Sequence, residues 1–311
     1  MPRWFTARAI TTALGLTLLG ASVAACGPKT VDWSDDAVAK GDAGITAHVI
    51  NSQVAVGPTR LAIGIFNKDG GLVHDAAGTM KLVRLDAANK ATPAGERELR
   101  AVHIDEQAHS GHVHDPLATM YVANVDIDQK DYWGATLDVK IGGKRYQNLR
   151  IRFFVAEQSV VPGIGQPAPR TTQPTIRTVQ DIKEIDSSTP PRPELHDMTV
   201  AEAIDSKKPT LVAFATPAFC QTRFCGPVVE EVVVPLSKDY RGRVNFVHIE
   251  PYRLAEARQG KLVPIAEMAQ WNLATEPYLF VLDGSGRVAA QFEGIVEKDE
   301  VAAVFDRLLK G

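Results

Sequence analysis

The chain has 311 residues, 45% of them hydrophobic and 23% charged, and a formal net charge of −3. That apolar share supports packed cores, and the length leaves room for about two domains of the usual ~100–200 residues. The near-balanced charge, with no block of lysine or arginine, lacks the basic footprint of nucleic-acid binders, so nucleic acid is not an expected partner.

In chain order, Met1–Ala25 has the layout of an export signal. Arg3 and Arg8 supply a positive start, Ala9 to Ala25 is uncharged with a Leu-rich centre, and small residues follow. The stretch is short for a spanning helix, which needs ~20 apolar residues. Val23-Ala24-Ala25-Cys26 resembles the lipobox of bacterial lipoproteins, which are cut before a cysteine that carries a diacylglycerol. That resemblance implies lipidation of Cys26 and a body held on the extracytoplasmic face of the cell membrane, where disulfides persist. Residues 26–44 are mostly polar and read as a tether.

Residues 45–157 read as β structure. Strand candidates are Ile45–Val56, Leu61–Phe66, Thr79–Leu85, Glu98–Ile104, Met120–Ile127, Thr136–Ile141 and Leu149–Val155. Gly57–Arg60 reads as a turn, Asn67–Gly71 as a hairpin signal, and Gly142-Gly143 separates the last two strands. This spacing, with no helical period, predicts an all-β, immunoglobulin-like antiparallel sandwich, although the Cys–Trp–Cys signature of antibody domains is absent. Residues 158–197 carry seven prolines between Pro162 and Pro193 and read as an extended linker, with Thr175–Ile185 packing as an edge strand.

From 198 to 311 helix and strand alternate. Thr199 and Glu202 form a capping box for a helix over Val200–Ser206. Strands are expected at Leu211–Phe214, Val244–Ile249, Tyr278–Leu282 and Val288–Phe292, and helices at Val228–Leu236, Ile265–Leu273 and Val296–Leu309. Pro235 is expected to kink or end its helix. The order predicts an α/β fold with a mixed sheet.

With Cys26 at the N-terminus, Cys220 and Cys225 are the only remaining pair of cysteines. They follow a buried strand and precede a helix. There the unpaired N–H groups and the helix dipole stabilise a thiolate, and a second thiol can close a reversible disulfide.

These residues resemble the thioredoxin family. Leu211–Cys225, LVAFATPAFCQTRFC, is similar to its strand-to-cysteine segment. Tyr240-Arg241-Gly242-Arg243-Val244 is similar to the entry to its next strand, and Thr275-Glu276-Pro277 to its cis-proline. Asp283–Val288 is similar to its hairpin turn, and Ile164–Pro169 to the lead-in of its membrane-tethered, TlpA-like branch. The two-domain layout resembles that of actinobacterial lipoproteins. The resemblance implies a thioredoxin-like domain over 198–311 acting on protein thiols and disulfides, with Cys220 attacking, Cys225 resolving and Pro277 exposing backbone to substrate. Phe219, in the place of the family's Trp, and Glu276 would face that substrate.

The departures are specific. The spacing is Cys-x4-Cys where the family has Cys-x-x-Cys, so Cys220 must lie in the loop and Cys225 in the first helical turn. Ala213 stands where the family has a buried acid. Glu276 places a charge that should raise the thiol pKa. A second register aligns Phe224–Val228 with Trp-Cys-Gly-Pro-Cys, Val228 replacing the second cysteine.

Two other readings stay open. In one, the cysteines form a structural bridge in a non-catalytic binding lipoprotein. In the other, the chain binds or delivers copper. The stretch 103–115 holds His103, His109, His112 and His114 beside Asp115, and imidazole suits copper and zinc alike. The same histidines also read as solvated residues of a polar loop.

Overall fold

A computed structural model of the chain describes residues 1, 33–34, 44–105 and 116–310, with only the backbone of 105, 116 and 117. The signal segment after Met1, Cys26, His109, His112 and His114 lie outside the described residues.

The first part forms seven strands: β1 (Thr46–Val49), β2 (Gly57–Phe66), β3 (Ala77–Leu85), β4 (Ala91–Asp105), β5 (Pro116–Ile127), β6 (Asp131–Ile141) and β7 (Lys144–Val155). All pair antiparallel, in the order β1-β2-β5-β4-β3-β6-β7. The long β4 serves two neighbours, residues 91–99 pairing with β3 and residues 100–105 with β5. Alternating side chains such as Leu61, Ile63, Met80, Tyr121, Trp133 and Ile151 close one core. Trp33, from the stretch read as tether, is also buried, and its ring lies against Gly134, where any Cβ would collide with it.

Two local readings need correction. Gly57–Arg60 is the start of β2, not a turn. That half of β2 pairs with β5 alone, so the missing N–H of Pro58 does not interrupt a ladder on both sides. Asn67–Gly71 does turn, its Asn67 Oδ1 accepting from the N–H groups of Asp69 and Gly71 at 2.9 Å. The chain then pairs back only at the Phe66–Leu72 bridge before crossing to β3, so no hairpin joins β2 to β3.

The second part is a four-stranded mixed sheet of β8 (Thr210–Phe214), β9 (Asn245–Ile249), β10 (Tyr278–Leu282) and β11 (Val288–Glu293). Its order is β11-β10-β8-β9, with β8 and β9 parallel and the other pairs antiparallel. Helix α1 (Val200–Asp205) carries the expected capping box, Thr199 and Glu202 each accepting from the other's backbone. Cys225–Pro227, Val228–Val233 and Val234–Asp239 run on as one helix, α2, whose middle is π-helical. Pro235 therefore does not break it. The widened turns before the proline let the chain pass its missing N–H and its ring. Short helices α3 (Leu254–Ala257) and α4 (Ala266–Gln270) follow, and α5 (Lys298–Leu309) closes the chain. Among the described residues no helix is long and apolar enough to cross a membrane.

The proline-rich stretch is no free linker. Val161, Ala168, Thr171, Gln173, Asp186, Leu195 and His196 are all buried. No edge strand forms at Thr175–Ile185, where Ile182–Glu184 is a 3-10 turn capped by Asp181.

Both faces of the second sheet are covered. Val212, Phe214 and Phe280 pack with Trp271 on one face. Leu211, Ala213 and Leu279 pack under α2 and α5 on the other. That second cluster continues into the first sheet through Ala62, Val102, Ile104, Ala118, Met120 and Val122. Strand β5 is thus apolar on both faces, and the two sheets share a core. Charges frame the seam. Arg60, 10% exposed, makes a two-pronged pair at 2.9 Å with Glu300, 13% exposed, and Arg100 pairs with Glu297 and Glu300.

Candidate functional site

Strand β8 is central and wholly buried, so its end is a rigid platform. The chain leaves it through buried Ala215 and Thr216 into a loop that reaches α2 at Cys225. Arg223 takes a left-handed φ of 68°, which folds the two residues beyond the usual spacing back toward the helix. Cys220 lies in this loop and Cys225 opens the helix, with Cα atoms 5.8 Å apart and the sulfurs joined in a disulfide. The separation falls within the range a disulfide needs.

The two cysteines differ in access. Cys220 is half-buried and Cys225 is fully buried. The N–H of Cys225 donates to the Cys220 sulfur at 3.2 Å, and the Thr222 hydroxyl lies 3.2 Å from the same sulfur. These contacts favour negative charge on Cys220, as does the positive end of the α2 dipole. Phe219 is half-buried one residue before it.

Opposite stands the Glu276–Pro277 peptide, which is cis and leads into β10. The Pro277 carbonyl accepts from Gly294 N–H at 3.0 Å. Glu276 is buried, and a carboxylate oxygen and both sulfurs lie within 4.8 Å of one another. Tyr252 OH donates to Glu276 at 2.9 Å, Gln221 N–H donates to its other oxygen at 3.4 Å, and the Gln221 amide donates to Tyr252 at 3.1 Å. Burial, and next the bond to Glu276, raise the Tyr252 phenol above its usual range, against the opposing bond from Gln221, so it stays a donor.

The structure thus brings the Cys220–Cys225 pair together with Glu276 and Pro277, which lie about 50 residues further along the sequence. Sequence reasoning missed the bracing pair Gln221 and Tyr252. Tyr252 follows β9 in a loop without a motif, and only the fold shows its reach. Of the histidine stretch only His103 is described. It lies on β4 and its Nδ1 is 2.8 Å from the Thr119 hydroxyl, which His74 Nδ1 also approaches at 2.9 Å.

Glu276 yields a prediction about the thiol. Two unit charges ~4–5 Å apart interact by about 3–4 kcal/mol at an effective dielectric of ~20, and solvent at half-buried Cys220 reduces this. Glu276→Gln should therefore lower the Cys220 thiol pKa by about 1–2 units in the reduced protein. The rate of attack should reach its plateau at correspondingly lower pH. Thiolate ultraviolet absorbance against pH measures this, and an unchanged or higher pKa would remove Glu276 from the site's electrostatics.

No protein-family model matches the chain, and no curated protein matches it. Among solved structures, a thioredoxin-family thiol:disulfide interchange protein from Chlorobium tepidum is similar at 20% identity, covering 46% of this chain and 95% of that one. The TM-score is 0.31, a likeness too slight to carry an argument.

Proposed function

We propose that this chain is a thiol–disulfide oxidoreductase with a thioredoxin-like domain, held outside the cytoplasm by a lipid on Cys26. The observation that carries the redox reading is the Cys220–Cys225 bridge at the start of α2, with its accessible sulfur stabilised by the Cys225 N–H. The order β11-β10-β8-β9, the α2 crossover between parallel β8 and β9, and the cis proline before β10 support the thioredoxin-like reading. In the first sheet, β4 changes neighbours between residues 99 and 100. That divides seven strands into β1-β2-β5-β4 and β4-β3-β6-β7, which supports an immunoglobulin-like sandwich.

In the reductive direction the Cys220 thiolate attacks a substrate disulfide. One substrate sulfur leaves as a thiolate and the other stays in a mixed disulfide with Cys220. Cys225 then gives up its proton and attacks the Cys220 sulfur, releasing the second substrate thiolate. Two electrons pass to the substrate, and the protein leaves as the Cys220–Cys225 disulfide. Oxidation of a substrate dithiol runs the same steps backwards. The half-exposed position of Cys220 supports its role as the entering sulfur.

The test is a redox titration of the pair against glutathione, read by alkylation and mass spectrometry. A midpoint between about −270 and −120 mV is expected, the span of thioredoxin-fold oxidoreductases. A pair still oxidised below about −300 mV would make the bridge structural and the chain a binding protein. The anchor is tested separately. The N-terminal peptide of membrane-extracted protein should begin at Cys26 with a diacylglyceryl mass, and Cys26→Ala should free the body into the soluble fraction. An unmodified Cys26 in membrane-bound protein would refute it.

A further inference from the structure

We propose that Asp186, His196 and His248 form a binding site for one divalent transition-metal ion of the zinc type, separate from the cysteine pair and independent of its redox role. The three side chains are 1–2% exposed. They come from unrelated places: Asp186 after the Ile182–Glu184 turn, His196 after the Pro193–Leu195 turn, and His248 within β9.

Their ligand atoms converge. His248 Nε2 is 2.9 Å from the Ala215 carbonyl, which can only accept, so Nε2 carries the proton and Nδ1 keeps a bare lone pair. That Nδ1 lies 3.2 Å from His196 Nε2. Asp186 Oδ2 lies 3.5 Å from the same His196 nitrogen, and all three atoms are within 4.8 Å of one another. With neutral imidazoles, at most one hydrogen sits among three lone-pair atoms. A cation satisfies all three. For metal–ligand bonds of about 2.0–2.1 Å the edge of a tetrahedron is about 3.3 Å, which the two shorter separations match.

The surroundings are those of a metal site. The Ala215 carbonyl fixes the tautomer and tilt of His248, as ligating histidines require. Asp186 is pinned by backbone donors, Ser188 N–H to Oδ1 at 2.8 Å and Arg192 N–H to Oδ2 at 2.6 Å. A cavity of about 420 Å³ reaches the two histidines and gives the site an entry path; it is also lined by Glu184, Glu250, Glu256 and Glu267 together with Arg253 and Arg258. Glu250 is buried in that wall. One of its oxygens accepts from Ser187 N–H at 2.7 Å, and the other, Oε2, meets no well-aligned donor, with Thr216 beside it. An N2O donor set of two imidazoles and a carboxylate suits zinc.

The probe is Zn²⁺ titrated into chelator-stripped full chain in competition with a chromophoric chelator. One equivalent should bind, and should still bind after Cys220→Ser with Cys225→Ser, and after replacement of His109, His112 and His114 by alanine. Losing a partner of a metal ligand costs about 10–100-fold, so losing a ligand in His196→Gln or His248→Gln should weaken binding by at least about 100-fold. Asp186→Asn should weaken it too, and comparing metal-free melting curves separates ligand loss from misfolding. Cobalt-loaded parent protein needs no variant: the assigned ring resonances of His196 and His248 should show paramagnetic shifts. Unshifted His196 and His248 rings, no bound zinc, or full affinity in His196→Gln would each overturn the site.

Discussion

Cys220→Ser should reduce disulfide exchange by on the order of 10³-fold or more, the scale for loss of a covalent nucleophile. Cys225→Ser should instead leave the first attack intact and accumulate a mixed disulfide on Cys220. The asymmetry follows from access. Cys225 is fully buried at the head of α2, while Cys220 is half-exposed and receives the Cys225 N–H at 3.2 Å. A substrate sulfur can reach only the loop cysteine without opening the helix. Mass spectrometry of each single variant incubated with a peptide disulfide reads the result directly. An adduct on Cys225 in the Cys220→Ser protein, and none on Cys220 in the partner variant, would favour the other register, in which Phe224-Cys225-Gly226-Pro227 carries the attacking thiol. Adducts on neither would support a static bridge.

The second sheet was legible because its signals are local. Buried runs such as Leu211–Phe214 and Tyr278–Leu282, the Thr199/Glu202 capping box and the Asp283–Gly286 turn each specify an element within a few residues. The stretch 161–197 was illegible for the opposite reason. It is held by side-chain to backbone bonds, such as Gln173 to Met198 and Val200 and Glu250 to Ser187, and these have no period in sequence. Proline-rich composition reads alike whether a chain is docked or free, so Asp186 and His196 gave no sign of meeting His248. At the cysteines the spacing showed that Cys220 lies outside the helix. It could not show that Tyr252 and Gln221 hold Glu276 against the sulfurs, because three separate loops meet there. Nor could it show which face of Ala118–Val122 is covered, since a strand apolar on both faces reads only as a buried strand.

That doubly buried strand sets up the second large effect, in Met120→Asp. Met120 is 3% exposed on β5, and its sulfur stands 3.8 Å from where a Cβ on Gly294 would lie. Gly294 in turn donates its N–H to the Pro277 carbonyl. The first sheet therefore backs the cis-proline loop that faces the cysteines, with Phe292, Ile295 and Val296 in the same cluster. An aspartate at 120 would bury an unpaired carboxylate at about 3–5 kcal/mol, beyond the lost methionine packing. Arg60 and Arg100 do not relieve it, because Glu297 and Glu300 already occupy them. Calorimetry of the parent should show one unfolding transition for the two sheets, since they share a core. The variant should show two, with the lower one depressed on the order of 10 °C. Exchange by Cys220 should slow as well, because Pro277 loses its support while both cysteines remain. A single transition at the parental temperature would show that the seam is not part of the cooperative core, and would leave each sheet to stand on its own packing.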